Sequence, residues 1–331
     1  MLVILLVSAL LPAVAIGRSY EQACHEYPQD QGQWKAGCNE YFRGMDMKTI
    51  KAMMGTILGV DPEAPVHRMT EPKVIPTSFD SSVHWKRCRS TIMHIKDQSC
   101  CGSCWAVAAS EVFADRLCIA NPDVKRKVVM SSEYVLSCCH SCSGDGCVSG
   151  LPLEAWKFIK GTGLPTGGPY DSNCGCQPYG IKPGCKKAQT PPCSQSCEAG
   201  FPRSLQQDKH YAKNYFRINP TVEDIQRHII KHGPVQCGFI VHDSFHYYKS
   251  GVYGPKCAGK KEEGHSVKVI GWGKTDAGVD YWIINNSWNT TWGMNGQFWM
   301  QRGINLCGIE SYCVAGEVGT KERNLELVCL K

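Results

Sequence analysis

The chain has 331 residues, 43% of them hydrophobic, with a formal charge of +6. This length and apolar content suit one or two packed lobes and exclude a peptide scaffold. The positive charge is mild and spread out, with no basic block of the kind that tracks a phosphate backbone, which argues against a nucleic-acid partner.

Met1 to Gly17 is apolar and ends in Ala13-Val14-Ala15-Ile16-Gly17, the pattern of a signal peptide. No later run reaches the roughly 18 apolar residues that a membrane-spanning helix needs. A secretory-pathway protein is therefore expected, in a lysosome, an acidic vacuole or the extracellular space. Twenty-one cysteines fit that oxidising route. Their odd number leaves at least one thiol unpaired or in an intermolecular bond. Arg18 to Lys73 is Gln- and Met-rich, and the Pro-rich stretch from Asp61 to Pro76 divides it from the rest. The expected divisions are residues 1–17, 18–74 and 75–331.

Gln98-Ser99-Cys100-Cys101-Gly102-Ser103-Cys104-Trp105 runs into a segment with helical spacing. Trp105, Ala108, Ala109, Val112, Phe113 and Leu117 recur at three- and four-residue steps, and no Gly or Pro interrupts Trp105 to Cys118. That spacing predicts a helix with Cys104 at or near its N-terminus, where free backbone N–H groups and the helix dipole stabilise a thiolate. Three readings of Cys104 stand open. It is a disulfide half-cystine, half of a redox Cys101-x-x-Cys104 pair, or a protease nucleophile that needs a base, an orienting residue and an oxyanion donor elsewhere.

Ser131 or Ser132 is placed to cap a second helix through Leu136. It leads into Cys138-Cys139-His140-Ser141-Cys142 and Cys147, which read as disulfide halves in preference to zinc ligands in an exported chain. No metal or cofactor is expected. Gly161 to Gly200 has no periodicity and reads as a stapled loop region. Thr221 to His232 reads as a helix with Thr221-x-x-Asp224 as capping box and Gly233-Pro234 as stop. Strands are predicted over Val235 to Val241, Gly251 to Tyr253, Gly264 to Gly273, Tyr281 to Trp288 and Gln297 to Gln301. A helical first half and a β-rich second half predict a two-lobed α+β protein. A hairpin turning at Thr275-Asp276 sets His265 directly opposite Asn286, about 5.5 Å apart at Cβ, so that the Asn amide can fix the imidazole.

Gln98 six residues before Cys104, Cys101-Gly102-Ser103-Cys104-Trp105, Gly264-His265, and Asn286-Ser287-Trp288 followed by Trp292-Gly293 resemble the papain-like cysteine proteases. From about Trp34 to Gly316 the chain is most similar to the cathepsin B branch. The resemblance implies an α+β papain-like fold, a helical lobe and a β-barrel-like lobe flanking a cleft, with an N-terminal propeptide. It implies a thiolate–imidazolium pair of Cys104 and His265, with Asn286 orienting the ring and Trp288 covering it. The Gln98 amide and the Cys104 N–H then hold an oxyanion. Trp34-Lys35-Ala36-Gly37-Cys38-Asn39 and Met54-Gly55-Thr56-Ile57-Leu58-Gly59 resemble a short propeptide that lies in the cleft as inhibitor, with the mature start near Ile75-Pro76.

The cathepsin B connectivity implies the pairs Cys88–Cys118, Cys101–Cys147, Cys139–Cys142, Cys138–Cys193 and Cys176–Cys197, with Cys174 as a substitute partner for Cys185. By the same likeness, Gly102, Ser149, Gly150, Gly264, Trp288 and Tyr312 contact substrate. The chain departs from its relatives in three places. Val148-Ser149-Gly150 stands where they have Asn-Gly-Gly. Tyr312 stands where cathepsin B has a Glu at the base of its S2 pocket, which implies apolar or aromatic P2 residues. The occluding-loop region has no His between Tyr170 and Lys209, which implies an endopeptidase, although Lys186 and Lys187 offer charge to a terminal carboxylate. A monomer acting on protein or peptide substrates is expected. A catalytically silent binding or matrix protein is the alternative, and a thiol oxidoreductase ranks third. Asn289-Thr290-Thr291 is a glycosylation sequon.

Overall fold

The computed structural model describes residues 19–59, 61–320 and 325–329; the leader read at Met1 to Gly17 lies outside them. The central element is the helix Cys104–Ala120, which begins at Cys104 and is buried at every position through Cys118. A helix buried all round belongs to a core. One side packs on the helices Ser132–Cys138 and Pro152–Thr162, and another on the strand Lys261–Lys274. Ser131 caps the second helix by accepting from the Tyr134 N–H at 3.0 Å.

Two apolar cores result. The first gathers Trp105, Phe113, Leu117, Val135, Trp156 and Ile159 around the central helix. The second fills a sheet in which Val235–His242, Lys261–Lys274, Asp280–Asn285 and Gln297–Gln301 are successive neighbours. Both edges of that sheet are covered by the N-terminal segment. Trp34–Ala36 pairs antiparallel with Tyr248–Tyr253, and Val66–His67 pairs parallel with Phe216–Ile218. Tyr20, Trp34, Phe42, Ile50 and Met53 enter the second core.

Two local expectations are corrected. The hairpin turns about Ala277 and not between Thr275 and Asp276, because Thr275 O accepts from Gly278 N–H and its own N–H reaches Val279 O, and a bulge at Ile270 takes back part of that shift. Asn285 therefore faces Lys268, and Asn286 leaves the strand two residues out of register with His265. The capping box at Thr221 is half formed. Thr221 Oγ1 accepts from Asp224 N–H at 3.2 Å, but the Asp224 carboxylate takes the Thr221 hydroxyl at 2.7 Å, the Met69 N–H at 2.6 Å and Asn219 Nδ2 at 2.6 Å, while the Thr221 N–H goes to Asn219 O.

Ten disulfides use every cysteine but Cys104. The five pairs implied by resemblance are present. Cys185 bonds to Cys100, not Cys174. The loop running back from Ile181 passes over the turn at Ser99, whose hydroxyl donates to Ile181 O, and this delivers Cys185 to Cys100. Cys174 is taken by Cys329, where Gly175 N–H donates to Val328 O. Cys24–Cys38, Cys237–Cys313 and Cys257–Cys307 complete the set. Residues 163–204 carry no helix or strand and are stapled through Cys176, Cys185, Cys193 and Cys197.

Candidate active site

Cys104 opens the central helix, fully buried and outside any disulfide. Cys101 is bonded to Cys147, so no Cys-x-x-Cys redox pair exists. His265 approaches from the Lys261–Lys274 strand of the other lobe. Its Nε2 lies 2.8 Å from Asn286 Oδ1, which also accepts from the Ser287 N–H at 2.8 Å. That second donor fixes which way the amide points, so the oxygen is offered to an imidazole N–H. His265 Nδ1 has no conventional hydrogen-bond partner among the described residues and remains for the thiol. Trp288 lies over the ring at 4.8 Å between centroids, and Phe239 meets it edge-on at 5.8 Å.

Burial pushes the Cys104 thiol up, but the His265 charge and ring contact, the Thr56 hydroxyl and the Ser266 N–H outweigh it and bring it down to about 7. A thiol so lowered is the reactive kind. Gln98 is wholly buried, its Oε1 accepting from Ser287 Oγ at 2.6 Å and its backbone N–H donating to Ser287 O at 2.9 Å. Its Nε2 donates to Cys101 O and to Met53 O, each at 2.8 Å.

The cleft between the lobes is filled by the chain itself. Thr56 Oγ1 lies 3.1 Å from Cys104 Sγ, and its N–H donates to Gly264 O at 2.9 Å. On the opposite wall Gly150 N–H donates to Gly55 O at 2.8 Å, and Ile57 N–H donates to Gly150 O at 2.9 Å. Residues 55–57 therefore hydrogen-bond both walls, as an extended peptide does. Gly55 must be glycine, since a Cβ there would lie 1.7 Å from Gly102 O.

A family model of the papain family cysteine proteases matches residues 75–317. The chain belongs to the papain family of cysteine proteases. Cathepsin B-like cysteine proteinase 4 of Caenorhabditis elegans is 38% identical over 316 residues, covering 89% of this chain and 92% of the relative. Cathepsin B-like cysteine proteinase 1 of Ostertagia ostertagi is 43% identical over 257 residues, covering 74% and 73%. The solved proCathepsin B S9 from Trypanosoma congolense matches with a TM-score of 0.77 at 34% identity, covering 88% of this chain and 94% of that one. The chain is thus a cathepsin B-like cysteine peptidase with the two-lobed fold and propeptide of a proform.

In this papain-family cleft the walls named from sequence divide. Gly102, Gly150 and Gly264 line it at backbone distance from residues 52–57, whereas Ser149 lines it without pairing to that segment. Tyr312 lines a cavity of about 360 Å³ with Leu151, Pro152 and Arg217, and Leu58 enters from the propeptide and packs on Gly238 and Gly264. Glu310 is buried elsewhere, accepting from Trp282 Nε1, Gly303 N–H and Asn305 N–H. Lys186 and Lys187 line the cleft beyond Cys104 from that cavity. Asn289 donates through Nδ2 to Asp97 Oδ2 at 3.2 Å. Thr56 and Ser287 stand inside stretches singled out in the sequence with no role assigned to either, and the Met53 carbonyl carries no motif; all three bear on the site.

Proposed function

We propose that the chain is a cysteine endopeptidase made as a zymogen and exported by the secretory pathway to a lysosomal, vacuolar or extracellular site. Residues 1–17 are removed on export, 18–74 form the propeptide and 75–331 the peptidase. The observation that carries the reading is the one unpaired cysteine of twenty-one, at a helix N-terminus, beside an imidazole held from behind by an amide.

His265 takes the Cys104 proton through Nδ1, and the imidazolium so formed is stabilised by Asn286 Oδ1 on Nε2. The thiolate attacks a peptide carbonyl. Gln98 Nε2, released from Met53 O once the propeptide leaves, stabilises the oxyanion together with the Cys104 N–H. His265 then protonates the leaving amine, and water clears the acyl-enzyme. Trp288 and Phe239 exclude solvent from the imidazole, which strengthens its bond to Asn286. Cleavage within chains is supported by a loop region with no His between Tyr170 and Lys209. A preference for Leu, Val or Phe at P2 is supported by Leu58 entering beside Tyr312, in a cavity where the peptidase acid Glu154 is paired with Lys157 at 3.3 Å.

Acid-activated protein incubated with an epoxysuccinyl inhibitor should carry one adduct, on Cys104, and lose peptide hydrolysis. Retained hydrolysis, or an adduct elsewhere, rejects the mechanism. In a P2 panel, Arg outperforming Leu, Val and Phe rejects the pocket assignment.

A further inference from the structure

The cleft wall on the other side of Cys104 from Tyr312 carries an acid that the reaction does not use. Glu262 stands three residues before His265 on the same strand, and its side chain is only 4% exposed. Oε2 lies 2.7 Å from His246 Nε2 and Oε1 lies 3.1 Å from Lys51 Nζ. His246 is wholly buried, against Phe42 at 5.8 Å and Trp288 at 5.9 Å between ring centroids. Burial pushes the Glu262 carboxyl up, but His246 and Lys51 outweigh it and hold it below its ordinary value.

Lys51 lies in the last turn of the helix Met47–Ala52 and belongs to the propeptide. When that segment leaves, Oε2 keeps His246 and Oε1 loses its cation, at the wall of an opened cleft. A carboxylate in that position draws a replacement cation, because the departure leaves it with His246 as partner on one oxygen only, on a wall that Trp288 still backs. The propeptide itself gives the direction. Thr56 lies at Cys104, Leu58 lies toward Tyr312, and Lys51 lies on the opposite side, where the leaving half of a substrate runs. Glu263 beside it is exposed and adds negative charge. Lys261, Lys186 and Lys187 are exposed and act on an incoming cation only through screening solvent.

We propose that Glu262, backed by His246, is a specificity residue that binds a Lys or Arg side chain on the leaving-group side of the scissile bond, in the place Lys51 occupies in the zymogen. The proposal rests on the peptidase reading above, and its test separates the two. Activated wild-type enzyme is first assayed on substrates whose scissile bond is to a bare fluorophore; silence there rejects both readings. Internally quenched peptides then carry Lys, Arg, acetyl-lysine, Glu or norleucine at the first or second leaving-side position. At one position Lys and Arg should exceed acetyl-lysine in kcat/KM by about tenfold, the range of one charge-assisted hydrogen bond in a recess. In Glu262→Gln the Lys to acetyl-lysine ratio should fall to within about twofold of unity, a measure that cancels any general loss of activity. Equal wild-type rates for Lys and acetyl-lysine, or a ratio that survives in Glu262→Gln, overturns the assignment whether or not the variant folds well.

Discussion

Cys104 and Gln98 act through neighbours whose roles no motif states. The oxyanion amide is aimed by Ser287, whose hydroxyl donates to Gln98 Oε1 at 2.6 Å and leaves Nε2 pointing into the cleft. Gln98→Ala should therefore lower kcat by about 100- to 1000-fold with KM little changed, since the donor is used by the developing oxyanion more than by the ground state. Steady-state kinetics on activated enzyme decide it, and a rise in KM at constant kcat points instead to a lost binding contact. Residues that do chemistry were legible because the chemistry restricts their type and spacing: a thiol at a helix start, a His after Gly, an Asn before Ser-Trp. The aiming roles were not, because nothing in the type or spacing of Ser287 says that its hydroxyl positions Gln98 and its N–H positions Asn286.

Helix Cys104–Ala120 and strand Lys261–Lys274 meet again, away from the thiol and imidazole at their ends. Lys268 Nζ lies 3.1 Å from Asp115 Oδ2, both side chains almost wholly buried. Burial raises Asp115 to about 6 despite the Lys268 charge, and Glu111 beside it is raised by burial too. Removing the cation alone leaves buried acids without it, so Lys268→Met should cost about 3–5 kcal/mol in denaturant unfolding with disulfides intact. The double variant Lys268→Met/Asp115→Leu should recover most of that. The pH dependence has a definite sign. A carboxyl raised from 3.8 to about 6 contributes stability below its ordinary value and loses it as pH rises through 6. The single variant should accordingly suffer less in mild acid than at neutrality, and a pH-independent loss refutes the electrostatic account. Element types were legible from periodicity, including the central helix and the long strand. Register was not: His265 and Asn286 meet although the hairpin places them two residues apart, because Asn286 has left the ladder and its side chain reaches back. Cys185 was misassigned for a similar reason, since loop paths follow tertiary packing that local pattern does not encode.

At the scale of the whole molecule the propeptide clips both edges of the sheet, and its tail lies on a histidine cluster. His67 packs at 5.0 Å from His228, itself 5.2 Å from Phe216 and 6.0 Å from His232 between ring centroids. His228 is wholly buried, with neither ring nitrogen hydrogen-bonded to a described residue. Burial, with the charges of Arg116, His67 and His232 added, lowers it to about 2, and His232 is lowered to about 4 by the same burial. If leaving uncovers His228, it regains a value toward 6.5. Above 6.5 neither state binds the proton; between 6.5 and about 2 only the undocked state does, so acidification favours release. At about pH 5 the limiting effect is roughly 2 kcal/mol for this one ring. Asp224, which holds the Met69 N–H, has the opposite sign. Burial raises it, but that bond and those from Asn219 and Thr221 hold it below 3.8, so its support for docking is lost only below 3.8, under the mildly acid pH at which His228 already favours release. Release in mild acid is thus assigned to the imidazole and not to the carboxylate. His228→Phe, with a ring of similar size among aromatic neighbours, should shift the pH midpoint of propeptide dissociation down by about one unit while leaving docking at pH 7 intact. Hydrogen exchange of the 65–73 segment across pH reads this directly, and an unchanged midpoint in His228→Phe removes the histidine from the mechanism.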